Sequence, residues 1–321
     1  MNDECIKTCR KLCSLVAPSG KETAVASYIC EALSKNSNGI IKKDMMGNII
    51  FSFIGMKSYP PVALLAHMDS AGLFTMGTEL NNRCRYGSLS TFCKEKADKK
   101  LFKFLSGAEA VVDYENRTLI RQGSIPLRPG DFGTFFPSFD INTKEVYGTF
   151  LDNRVICALL LDVIFHMTKT ERTVNFIFTV QEEVGNKGAR ALAPHIEADR
   201  VYILDTTACD VIMPSSIPVL DNGVCIKICD GSGFCSSVLN DEVLRLSHSR
   251  GISLQLEALD FAGSDISAFS GTRADLLFTG LSIPCSNMHS NNERMSLYDI
   301  DEFDKLLHII LEDNCGAEFK D

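Results

Sequence analysis

TVNFIFTVQEEVGNKGARALAPHIEADRVYILD, residues 173–205, sets two apolar runs on either side of a polar loop and a helix-patterned stretch. Residues 173–180 and 201–205 read as strands, and the segment around 187–197 carries helical apolar spacing. A strand, helix and strand in so short a span join parallel strands, because the helix returns the chain to the same edge of the sheet. Working outward, a helical pattern runs from Asp152 to about Lys169, and NIIFSFIG (48–55) and VALLAH (62–67) read as strands. The second is a nearly continuous apolar run, as expected of a strand covered on both faces. Residues 4–16 and 21–35 read as helices broken at Ser19-Gly20, with Ser19 the expected cap. Downstream come a helix over 236–249 ending at Gly251, strands ISLQLE (252–257) and ADLLFTG (274–280), and a last helix over 299–313. The fold class expected is α/β, with a mixed, largely parallel sheet covered by helices.

Between 73 and 148 the texture changes to short β-type runs separated by Gly, Pro and Asn, as in VVDYENRTLIR (111–121) and LRPGDFGTFFP (127–137). This predicts a small β-domain inserted between residues 1–72 and 149–321 of the main domain. The charge run KEKADKKLFK (94–103) reads as a solvated loop or strand edge.

Composition narrows the function classes. The chain has 321 residues, 45% of them hydrophobic, which excludes disorder as a main feature. Lys and Arg number 32 against 41 Asp and Glu, a net charge of −9, so nucleic acid is not an expected partner. No apolar run approaches the roughly 18–20 residues that span a bilayer, and the N-terminus lacks a signal-peptide core; no membrane partner is expected. Thirteen cysteines, odd in number and mostly within apolar segments, read as reduced thiols of a cytoplasmic protein. Cys5, Cys9 and Cys13 fall on one helix face as small buried hydrophobes.

Ligands of parallel α/β sheets gather beyond the carboxyl ends of the strands. There the sequence places His67 and Asp69 after 62–66, Glu182 and Glu183 after 173–180, and Asp205 after 201–204. His289 lies in the loop SNMHSNNE (286–293), whereas His166, His195, His248 and His308 fall on helix-patterned segments and read as packing or surface residues. Asp152 opens a helix, where a helix cap is the plainer role. Glu182 and Glu183 would repel each other unless a cation or a proton compensates. A metal satisfies one of them and leaves the other as a base. Imidazole with carboxylate suits zinc, or cobalt or manganese, and five such ligands serve two ions if one carboxylate bridges.

APSGKE (17–22), LLAHMDSAGL (64–73), LDNR (151–154), TVQEEVGNKGA (179–189), Leu204-Asp205, AGSDISAF (262–269) and MHSNNE (288–293) occur in one order along the chain. In this the chain resembles the dinuclear-metal aminopeptidases that include glutamyl and tetrahedral aminopeptidases, some of which are named endoglucanases. The resemblance implies a zinc-exopeptidase-like fold with a small inserted β-barrel serving assembly and substrate access. It implies two divalent ions, one on His67, Asp152 and Asp205 and the other on Asp152, Glu183 and His289. Glu182 would be the general base, and Asp69 would hydrogen-bond the far nitrogen of His67. Peptide substrates and a homo-oligomer, a dodecamer in many members, are implied as well. Asn153, Ile156, Ser70 and Phe234 depart from the family's usual residues without removing a ligand, and bear on substrate preference. A deacylase or amidohydrolase using the same metals is the alternative, a non-catalytic scaffold is a third reading, and a glycosidase is weaker because the carboxylates are better used as ligands.

Overall fold

The computed structural model describes all residues except 210–217, 232, 262, 271, 273, 274 and 321. Ala262 and Ala274, which open the 262–269 motif and the expected strand 274–280, lie outside the described residues.

The main sheet runs Gly39–Lys43, Ile49–Phe53, Val174–Thr179, Val62–His67, Arg200–Ala208, Leu277–Cys285, Val224–Asp230 and Gly233–Phe234, with Leu254–Ala258 paired to Val224–Asp230. Its four central strands are mutually parallel, and the strands Ile49–Phe53 and Val224–Asp230 flank them antiparallel. Alternation along these strands builds two apolar layers. Leu64, Phe176, Tyr202 and Leu204 pack with the helices Asp3–Cys13, Thr23–Leu33, Leu151–His166 and Leu297–Cys315 on one face. Leu65, Ile177, Val201 and Ile203 pack with Ala189, Ile266 and Phe269 on the other. The sheet is therefore buried on both sides, which is why its strands read as continuous apolar runs.

A closed barrel follows in the order Leu73–Leu80, Arg83–Ser88, Thr118–Gln122, Glu109–Asp113, Leu101–Phe104 and Phe132–Phe135. Phe102 and Phe135 fill it, their ring centroids 4.3 Å apart. After the barrel, Phe139–Ile141 pairs with Glu145–Gly148, which in turn pairs with Glu293–Ser296.

Several local expectations are corrected. The charge run at 94–103 forms a short helix, Lys94–Ala97, and then enters the barrel strand Leu101–Phe104. Ser19 caps no helix; its hydroxyl donates to Asp69 instead. Asp205 does not end its strand, since pairing with Leu277–Cys285 carries Arg200–Ala208 three residues further. Asp152 makes no capping hydrogen bond among the described residues: its carboxylate faces the two histidines, and its backbone, φ −76° and ψ 107°, is non-helical at a kink inside Leu151–His166.

Candidate metal centre

The parallel strands set the site. His67 ends Val62–His67, and its neighbour Val174–Thr179 stops level with it, Thr179 opposite His67, so the chain turns there through Gln181 into Glu182 and Glu183. On the other side, pairing between Val62–His67 and Arg200–Ala208 is described only as far as Leu65 and Ile203, and Asp205 lies two residues beyond. His289 comes from the loop before Glu293–Ser296.

Asp152 stands between the two histidines. His67 Nε2 lies 3.1 Å from Asp152 Oδ1 and 3.4 Å from Asp205 Oδ1. His289 Nε2 lies 3.4 Å from Asp152 Oδ2 and 3.1 Å from Glu183 Oε2. Each carboxylate oxygen of Asp152 thus faces one histidine. Two groups, His67 with Asp152 and Asp205, and Asp152 with Glu183 and His289, each bring one ligand atom per residue within 4.8 Å of the others.

The supports are equally specific. Asp69 Oδ1 stands 3.5 Å from His67 Nδ1, and the Asp69 carboxylate accepts the backbone N–H groups of Glu182 at 3.0 Å and Glu183 at 3.2 Å. Glu182 Oε1 accepts from Asn186 Nδ2 at 2.8 Å, and Asn186 in turn accepts from Ser267 at 3.0 Å. Asn153 donates to the Leu204 carbonyl at 2.8 Å. Glu293 accepts the backbone N–H of His289 at 3.0 Å and that of Asp152 at 3.2 Å, so one buried carboxylate ties two candidate ligands together. Glu293 stands inside the 288–293 motif, yet nothing in its spacing separated it from a loop acid. Ser90 and Thr91, which reach His289 from the barrel, carried no sequence signal at all.

The electrostatics call for cations. Burial, opposed by His67 and reinforced by Asp205, Asp265 and Glu183, pushes Glu182 well above the usual carboxylate range. Burial raises Asp205 too. Burial opposes charge on Asp152 and on both histidines, but the imidazoles pull Asp152 far down while the acids around them pull His67 and His289 up. Lys227 is the one Lys or Arg among the described residues lining this cavity of about 550 Å³, and its ammonium is 2.5 Å from Glu257. Glu183 Oε1 is buried and has no hydrogen-bond partner among the described residues. Clustered carboxylates, two imidazoles and an orphaned carboxylate oxygen fit divalent ions, which remove both the repulsion and the unmet acceptor.

Fold and site together define a metal-dependent hydrolase of the α/β class. The chain belongs to the M42 glutamyl aminopeptidase family, whose profile matches residues 86–306, and it is a metal-dependent aminopeptidase. A relative from Acetivibrio thermocellus, also described by an aminopeptidase name, is 28% identical over 319 residues, covering 93% of this chain and 96% of that protein. The lysyl aminopeptidase of Pyrococcus furiosus is 23% identical, covering 87% and 88%. Among solved structures, the Pyrococcus horikoshii TET1 peptidase, described as assembling into a tetrahedron or a large octahedral shell, superposes with a TM-score of 0.82 at 25% identity over 96% of this chain and 99% of that one. An aminopeptidase from Desulfurococcus kamchatkensis superposes with a TM-score of 0.87 at 23% identity over 97% and 95%.

Proposed function

We propose that the chain removes N-terminal residues from peptides with two divalent ions, one held by His67, Asp152 and Asp205 and the other by Asp152, Glu183 and His289. The observation that carries this reading is Asp152, whose two oxygens address the two histidines separately while Glu182 stays outside both groups. When bound, the ions supply Lewis acidity to a water and to the scissile carbonyl. Glu182 takes the proton from the attacking water and returns it to the leaving amine. Burial raises its proton affinity, as suits a group that must hold that proton, and Asn186 orients its carboxylate through Oε1. Asp69 positions the Glu182 and Glu183 backbone and stands behind His67.

Zinc is the proposed metal, with cobalt and manganese the other ions the donor set accommodates. Residues 73–148 are proposed as the inserted domain that serves assembly and substrate access, and residues 1–72 with 149–321 as the catalytic domain. A homo-oligomer is proposed from the described assembly of the Pyrococcus horikoshii relative. A cytoplasmic location accords with thirteen free cysteines. No helix among the described residues is long and apolar enough to cross a membrane.

The test is a panel of aminoacyl p-nitroanilides and their N-acetylated counterparts, assayed on metal-free protein titrated with Zn, Co and Mn. Metal-restored turnover of the free-amine substrates is expected. Preference for the acetylated series would replace this reading with a deacylase.

A further inference from the structure

The barrel touches the candidate metal ligands through the loop that follows its strand Arg83–Ser88. Ser90 Oγ donates to Glu183 Oε2 at 2.6 Å and lies 3.2 Å from His289 Nδ1. The Thr91 carbonyl oxygen lies 3.3 Å from the same nitrogen. A carbonyl only accepts, so Nδ1 carries the proton and Nε2 keeps its lone pair on the side of Asp152 and Glu183. Phe92 packs edge-on against the His289 ring at 6.3 Å and is itself held in the barrel core by Phe102 and Phe135. Lys96 Nζ donates to the Met288 carbonyl at 2.8 Å. Among the described residues, no hydrogen bond or ion pair of His67 or Asp205 reaches the barrel.

We propose that Ser90 is a positioning residue for one ion only. Its hydroxyl accepts from His289 and donates to Glu183, fixing both side chains, so the affinity of the Asp152, Glu183 and His289 set depends on the barrel loop. The His67, Asp152 and Asp205 set does not. The proposal rests on the two-ion reading above.

The experiment compares the parent with Ser90→Ala and Ser90→Thr. Metal-free proteins are titrated with Co²⁺, followed by visible absorption, and with Zn²⁺ in competition with a chromophoric chelator; thermal unfolding of the metal-free forms is measured alongside. Loss of a group that orients a metal ligand typically weakens binding 10- to 100-fold. Ser90→Ala is therefore expected to weaken one of two ions by about that factor, to leave the other and the unfolding temperature unchanged, and to be rescued by Ser90→Thr. Equal weakening of both ions, or of neither, overturns the proposal. A parent that binds a single ion sinks the two-ion reading, and the proposal with it, before any variant is compared.

Discussion

Glu182 and Glu183 are neighbours in the chain with different work. Glu183 turns toward His289 and Ser90, while Glu182 accepts from Asn186, lines the same cavity and belongs to neither ligand group. Glu182→Gln is therefore predicted to keep its metals, measured by elemental analysis, and to lose kcat by about 10²- to 10⁴-fold, the range of a positioned general base. Near-parental kcat in that variant would remove Glu182 from the mechanism. At this scale His67, Glu182 and Glu183 were legible in sequence, because polar residues closing a run of buried apolar ones have few structural uses. Glu293, Asn186 and Ser90 were not. Ser90 meets His289 across 199 residues, and Glu293 matters through the two backbone N–H groups that it accepts.

Among the elements, the turn 180–188 owes its shape to close approach. A Cβ on Gly188 would stand 2.4 Å from both the Val180 carbonyl oxygen and Asn48 Oδ1, and Asn48 already accepts from Val180 N–H at 3.0 Å and donates to the Gly188 carbonyl at 2.9 Å. Only glycine lets the helix Lys187–Leu192 start against the strand it follows. Gly188→Ala is predicted to cost about 1–3 kcal/mol, the usual penalty of overpacking, and to lower activity by displacing Glu182. Urea unfolding and kcat measure the two effects, and unchanged stability would contradict the packing argument. The four parallel central strands were legible because burial on both faces leaves short, nearly continuous apolar runs, whereas Gly39–Lys43 and Val224–Asp230 of the same sheet were not. The end of Arg200–Ala208 was misplaced because an aspartate reads as a terminator, whereas register with Leu277–Cys285 holds Asp205 in extended backbone. The charge run at 94–103 hid the barrel strand Leu101–Phe104, where Leu101 and Lys103 alternate with buried Phe102 and Phe104.

For the whole molecule, a cluster of buried carboxylates is a cost that bound cations remove, so metal and folding are linked. Each ion at a hundredfold excess over its dissociation constant stabilises the fold by about 2.7 kcal/mol. Chelation is predicted to lower the unfolding temperature by several degrees and re-addition of metal to restore it; a scan insensitive to chelator would mean that the site binds no ion. Asp152 tests the arrangement most directly, because among the described residues it alone faces both histidines. The decisive measurement is the metal-to-chain ratio of purified, reconstituted parent and Asp152→Ala protein. Two ions per chain are predicted in the parent and near-complete loss of both in the variant. A parent holding one ion, or an Asp152→Ala protein that still holds two, would contradict a shared, two-ion centre.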